Sequence, residues 1–253
     1  MTKEVKLRCF TPDLINPTEK NYMTDTGGSK IVIVGKANTG KSTLIKYLVH
    51  VKRNIIPTAV VISGTEDSNR FYSSMFPDLF IHNEYSESVI RNVIQRQKLS
   101  ITHLEPEARY TLLILDDCTD DKKIFTSTIQ HSLFKNGRHW RLFYILSLQH
   151  ATDIPPAIRT NVDGVFIFKE TNENNLHNIY NNYAGIIPSF SIFKQVMNQI
   201  TGDYTALFID NMTQDNNNWE NNVYWFKAPL IKNEKEFGCE EYKEYGRTRI
   251  FKS

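Results

Sequence analysis

Short blocks of consecutive apolar residues alternate along this chain with longer stretches in which apolar positions recur every three or four residues. The blocks predict buried strands at Lys30 to Val34, Pro57 to Ile62, Tyr110 to Leu115, Leu142 to Leu146 and Gly164 to Phe168, with a shorter one at Leu79 to His82. Helical spacing follows the first block from about Gly40 to Val51. It returns at Ser86 to Leu104, where Val89, Ile90, Val93, Ile94, Gln97 and Ile101 share a face and Ser86 offers an N-cap. A further helix is predicted over Lys123 to Phe134, with Asn136-Gly137 as its stop signal. Strand-like and helical segments taking turns is the α/β pattern, a mainly parallel sheet flanked by helices.

Beyond Lys169 the texture changes. Six asparagines, Asn172, Asn174, Asn175, Asn178, Asn181 and Asn182, decorate one helical stretch, and Pro188 to Ile200 predicts another. Ala206 to Ile209 and Val223 to Phe226 are expected to pair as strands across the turn-rich Asp215-Asn216-Asn217-Asn218. The highly charged last twenty residues show little apolar periodicity and are expected to be loosely held. This gives an N-terminal segment (1–29), a main domain (30–210) and a small C-terminal α+β extension of hairpin and flexible tail (211–253).

Composition narrows the function classes. The chain has 253 residues, 40% of them hydrophobic, enough for a packed domain with an extension. Thirty basic against 28 acidic residues leave a net charge of only +2, so any nucleic-acid surface must be a local patch. Cys9, Cys118 and Cys239 are far apart and form no C-x-x-C pair, which argues against a disulfide framework or a zinc site. The opening Met1-Thr2-Lys3-Glu4-Val5-Lys6 lacks the apolar core of a signal peptide, and no apolar run approaches the ~18 residues of a membrane span. The expected compartment is intracellular and reducing.

The chemistry enters at Gly35-Lys36-Ala37-Asn38-Thr39-Gly40-Lys41-Ser42, a G-x-x-x-x-G-K-S placed directly after a buried strand and before a helix. Such a loop turns successive backbone N–H groups to one point, and the helix N-terminus adds partial positive charge, so a phosphate chain binds. Lys41 is expected to reach the β- and γ-phosphates and Ser42 to offer its hydroxyl to Mg²⁺; Thr43 closes the loop. The acidic partner is Leu112-Leu113-Ile114-Leu115-Asp116-Asp117, a Walker B pattern. Asp116 is expected to hold Mg²⁺ through a water, and Asp117 to orient or deprotonate the attacking water. Gln149, at the end of the next strand, is the candidate contact to the γ-phosphate or lytic water, since its amide both donates and accepts. Arg138 and Arg141 flank the start of that strand, at the opposite end of the sheet from the chain's own nucleotide. They could serve only a neighbouring subunit's site, which would make the active form a ring; Arg159 is a second candidate.

Gly35–Ser42, Asp116-Asp117-Cys118-Thr119-Asp120-Asp121, Asn136-Gly137-Arg138-His139, Ser147-Leu148-Gln149 and Ile158-Arg159-Thr160-Asn161, in this order, resemble the genome-packaging ATPases of nucleocytoplasmic large DNA viruses, within the FtsK–HerA superfamily. The giant-virus members share Ser63-Gly64-Thr65-Glu66-Asp67-Ser68-Asn69, and the resemblance spans roughly Ile31 to Phe226. It implies a RecA-like P-loop NTPase fold, ATP and Mg²⁺ as cofactors, a homo-oligomeric ring, and ATP-driven movement of double-stranded DNA into a capsid, with capsid components as further partners. It also implies work in the cytoplasm of infected cells, at the virus factory, or in association with the virion. By motif matching, Arg138 corresponds to the family's trans-acting arginine finger and Gln149 to its sensor. The superfamily's glutamate after the Walker B aspartate is here Asp117, as is common in the viral branch. The resemblance assigns no physical role to Thr65-Glu66-Asp67.

Other readings fare worse. No Asn/Thr-Lys-x-Asp follows the P-loop, as a GTPase requires, and the D-x-x-G at Asp25 to Gly28 precedes it. A serine-glycine-glycine-glutamine signature and an arginine-rich lid are absent. A helicase or partition-type ATPase and a non-hydrolysing nucleotide-binding scaffold remain open. For DNA contact, Lys122, Lys123, Lys135, Arg138 and Arg141 cluster in sequence. Lys232, Lys235, Lys243, Arg247, Arg249 and Lys252 mark a tail that also carries five glutamates and reads as solubility charge.

Overall fold

The computed structural model describes residues 5–24, 26–118, 122–212 and 218–249, with the side chain of residue 122 also set aside. Met1 to Glu4, Asp25, Thr119-Asp120-Asp121, the loop residues Asp215-Asn216-Asn217 and Lys252 lie outside the described residues.

Among the described residues nine strands form one sheet: β1 (Arg8–Cys9), β2 (Lys30–Val34), β3 (Thr58–Ser63), β4 (Ile81–His82), β5 (Thr111–Asp116), β6 (Leu142–Leu148), β7 (Gly164–Ile167), β8 (Thr205–Asp210) and β9 (Val223–Lys227). Their order is β1-β9-β8-β7-β2-β6-β5-β3-β4. Pairing is parallel except where β8 meets β7 and β9. β2, β5 and β6 sit centrally, and every residue in them is buried. That double-sided burial is why they read as continuous apolar runs.

Alternate side chains feed two cores. Val32, Val34, Leu113, Leu115, Tyr144 and Leu146 point to one face, where α3 (Glu87–His103), α4 (Thr128–Asn136), α6 (Glu173–Tyr183) and α7 (Phe190–Ile200) pack. Ile31, Ile33, Leu112, Ile114, Phe143 and Ile145 point to the other, against Leu44, Ile45, Leu48 and Val49 of α1 (Lys41–Lys52).

Two expectations need correction. The helix expected over Lys123 to Phe134 is broken: a 3-10 turn covers Lys122–Thr126 and α4 starts only at Thr128. Extended Ser127 separates them, its hydroxyl donating to Ile124 O at 2.7 Å. The helix does stop at Asn136 with Gly137 as its C-cap, but Gly137 is right-handed rather than a left-handed cap. Glycine is needed there because a Cβ would stand 2.5 Å from Leu133 O. The described part of the tail, up to Arg249, is not loose. Phe237 is fully buried, and α8 (Glu240–Arg249) packs on the α1 face, with Tyr242 stacked 4.4 Å from Phe80 and its hydroxyl donating to Ala59 O at 3.0 Å. The charge pattern hid this because among the described tail residues only Phe237, Tyr242 and the small Gly246, pressed against Pro77, are buried, with Cys239 partly so.

The N-terminal segment is likewise part of the fold. β1 extends the sheet beside β9. Phe10 inserts between Phe166, Phe208 and Phe226. The buried Lys52 ammonium donates to Pro12 O, Ile15 O and Pro17 O at 3.1, 2.6 and 2.6 Å. Ser86 takes the N-cap place of α3 but makes no capping bond. Its hydroxyl meets Ser88 Oγ at 2.7 Å instead.

Candidate nucleotide site

The loop between β2 and α1 is held by its own side chains. Gly40 adopts φ 112°, where L side chains are strained, and a Cβ there would sit 3.1 Å from the Phe168 ring. Asn38 is also left-handed. Gly35 is buried, and a Cβ on it would lie 2.7 Å from the Thr39 hydroxyl, which donates to Lys36 O at 2.7 Å. Lys36 pairs with Glu170 at 2.7 Å. Ser42 is exposed at the first turn of α1, while Lys41 is buried and its ammonium donates to Gly35 O. Burial pushes the Lys41 pKa down, and the nearby Asp117 and Asp116 carboxylates oppose that.

Parallel pairing of β5 with β3 and β6 brings Asp116 beside Ser63 and Ser147, at the strand ends nearest the loop. Asp116 is 7% exposed, and Tyr72 donates its hydroxyl to Asp116 Oδ2 at 2.8 Å. Burial pushes the Asp116 carboxyl above the ordinary range; the Ser147 and Tyr72 hydroxyls and Lys41 oppose that, while Asp117 adds to it. Asp117 is left-handed (φ 50°), a conformation that costs energy and gathers at functional sites. Gly64 permits the turn: a Cβ on it would stand 2.5 Å from Asp117 O, and its N–H donates to Asp116 O at 3.2 Å. Gln149 Nε2 donates to Asp117 Oδ1 at 3.3 Å.

A cleft of about 800 Å³ opens here. Lys36, Ala37, Asn38, Gly40, Lys41, Ser42, Thr43, Asp116, Asp117 and Gln149 line one side. Gly35 and Thr39 brace the loop behind. The other side is Tyr204, Lys227, Ala228 and Leu230, which sequence reasoning missed. Tyr204 is 62% exposed and left-handed (φ 61°), Asp203 before it is left-handed too, and Leu230 is 77% exposed. Their one sequence signal is the Gly202-Asp203 turn. Tyr72 had none.

Arg138 stands apart, in the turn before β6. It pairs with Asp163 at 2.6 Å, and its side chain is 45% exposed. Asp163 also accepts from Lys30 N at 2.8 Å, at the start of β2. The five-residue β2 thus separates Arg138 from the phosphate loop by roughly 15 Å. Arg141 Nη1 donates to Arg138 O and His139 O in the same turn, and Arg159 donates to Ile154 O.

Among the described residues no group of three or more His, Cys, Asp or Glu gathers as a metal site. No helix there is long and apolar enough to cross a membrane.

Comparison with known proteins gives a family and a fold. The chain is 63% identical over 249 residues to protein 075L of Invertebrate iridescent virus 6, covering 98% of this chain and 96% of that one. It is 46% identical over 246 residues to protein 088R of Invertebrate iridescent virus 3, covering 96% and 93%. Among solved structures, the genome packaging NTPase B204 of Sulfolobus turreted icosahedral virus 2, in complex with ATP-gammaS, superposes with a TM-score of 0.57. It is 20% identical and covers 80% of this chain and 98% of that one, so the likeness is one of fold, that of a P-loop ATPase. Residues 24–216 match the poxvirus A32 protein family, and the chain belongs to that family.

Proposed function

We propose that this protein is an ATPase motor that drives double-stranded viral DNA into the capsid during virion assembly. The observation that carries the reading is the convergence of Lys41, Asp116, Asp117 and Gln149 on one phosphate loop. Family membership and the fold shared with a viral packaging NTPase supply the direction.

In this reading the loop amides and Lys41 bind the phosphates of ATP, Lys41 exchanging its bond to Gly35 O for phosphate oxygens. Ser42 and Asp116 hold Mg²⁺. They fit it: a hydroxyl and a carboxylate are hard oxygen donors, and so small a protein set suits an ion that keeps its waters and arrives with the phosphates. The bound ion neutralises charge developing on the γ-phosphate. Asp117, held by Gln149, positions water, and Gln149 reports the loss of phosphate. Tyr204 and Leu230 offer an apolar wall for the base. Subunits form a ring in which Arg138 serves a neighbour's site, and basic residues grip the DNA backbone without reading sequence. The place of work is the infected-cell cytoplasm, with capsid components as partners.

The test is the steady-state ATPase rate of the purified chain with and without long duplex DNA. Strong stimulation by duplex, absent in Lys41→Ala, is expected. Hydrolysis indifferent to DNA would remove the coupling, and no Mg²⁺-dependent hydrolysis at all would remove the ATPase reading.

A further inference from the structure

The segment Ser63 to Asn69 returns here with a physical role. Glu66 opens the short helix α2 (Glu66–Asn69) and is only 4% exposed. Among the described residues no lysine or arginine bonds its carboxylate. It collects backbone and hydroxyl donors: Tyr72 N at 3.1 Å to Oε1 and 2.9 Å to Oε2, then Ser73 N and Ser73 Oγ, both at 2.9 Å. Arg70, left-handed at φ 47°, lets the chain fold back so that those N–H groups face Glu66. A buried carboxylate ringed by N–H and O–H donors is a rigid knot, and removing an acceptor would strand several buried donors at once.

The knot fixes the backbone of Tyr72. The ring is 1% exposed, wedged edge-on against Phe71 at 4.8 Å and near Phe76. The phenol hydroxyl donates to Asp116 Oδ2 at 2.8 Å.

We infer that Glu66 and Tyr72 are positioning residues for the metal-binding aspartate: Glu66 locks the turn that carries Tyr72, and the Tyr72 hydroxyl fixes the plane of the Asp116 carboxylate. This rests on the proposed role of Asp116 toward Mg·ATP. Asp116 ends its strand near enough to Lys41 for the two charges to interact, and a carboxylate free to turn would be drawn toward that ammonium. The Tyr72 bond holds one oxygen away from it. Partners of this kind orient metal ligands in many sites, and their loss lowers metal affinity by roughly 10–100-fold.

The experiment compares the affinity of a fluorescent ATP analogue for the full chain in EDTA and in Mg²⁺; the ratio measures coupling between metal and nucleotide. Tyr72→Phe, which keeps the ring, is expected to lower that ratio by roughly ten-fold or more. Its affinity in EDTA should remain near wild type, while its melting temperature falls because a buried carboxylate loses a donor. Glu66→Gln should shift the ratio in the same direction. If Glu66→Gln does not fold, Tyr72→Phe decides alone. A coupled wild type with an equally coupled Tyr72→Phe overturns the inference and leaves the role of Asp116 standing. A wild type in which Mg²⁺ does not change nucleotide affinity overturns both.

Discussion

At the carboxyl ends of β2 and β5, Lys41 lies near Asp116 and Asp117; at the amino ends of β2 and β7, Lys30 and Arg138 meet Asp163. The residue types are nearly the same, but the bonding is not. Asp163 accepts from Lys30 N and from Arg138, and lies 3.5 Å from the Lys30 ammonium, which also donates to Phe134 O at 2.9 Å. Those charges are satisfied within the fold and tie β2, β7 and the turn before β6 together. At the other end, among the described residues, Lys41 bonds only a loop carbonyl, and Asp116 carries a desolvation cost its neighbours do not cancel. One cluster is complete as it stands, while under the proposed function the other is completed by a ligand that brings both phosphate and cation.

The largest effect that would break this contrast concerns Arg138. If it serves a neighbour's nucleotide, the amino-end cluster is not purely structural. The guanidinium has five N–H groups and gives one nitrogen to Asp163, so it can keep that bond and present the rest. Arg138→Ala subunits, intact at their own phosphate loops, are expected to silence neighbours in mixed rings, with about 10³–10⁵ lost in rate at each affected site. Activity that falls only in proportion to Lys41→Ala subunits, and is untouched by Arg138→Ala, would return Arg138 to the structural cluster.

Next comes Asp163→Asn. It leaves the buried Lys30 ammonium without its counter-charge, and breaking one side of a buried pair costs about 3–5 kcal/mol. Chemical denaturation should show that loss; a change under about 1 kcal/mol would mean that Lys30 is held by Phe134 O alone.

Tyr204→Ala probes the cleft's unexplained wall. A base stacked on an aromatic ring is worth about 1–3 kcal/mol, so ATP affinity should fall roughly ten-fold or more while tripolyphosphate affinity stays unchanged. Equal losses for both would instead make Tyr204 a brace for the loop at Gly40, which it touches.

The sequence revealed the carboxyl-end site because its geometry is local. Gly35 to Ser42 is a continuous loop, and Asp116-Asp117 ends a strand whose apolar run is unmistakable. The central strands were legible for the same reason, being buried on both faces. Tyr72 and Tyr204 were not, since each reaches the site through a turn that carries no periodicity. Asp163 was invisible because its partners, Lys30 and Arg138, are 133 and 25 residues away. The α8 helix was missed because its buried residues are one aromatic, Tyr242, and one glycine, Gly246, too few to set a period against so many charges.

The smallest effect gives the sharpest contrast, because its sign should be opposite to that at Asp163. The folded-state pKa of Asp116 is raised, chiefly by burial, so the unfolded chain gives up this proton more readily. An ionised Asp116 therefore opposes folding above that pKa. The penalty shrinks as pH falls through it toward the unfolded value near 3.9. Asp116→Asn removes the charge while its carbonyl can still accept from Tyr72. The ligand-free protein should gain about 1 kcal/mol at neutral pH, seen as a higher Tm, as it loses Mg²⁺-dependent nucleotide binding. Stabilisation at Asp116 with destabilisation at Asp163 would separate a charge that waits for a ligand from one the fold itself neutralises. Destabilisation at both would mean that Lys41 already pairs with Asp116 strongly enough to offset its burial before any nucleotide arrives.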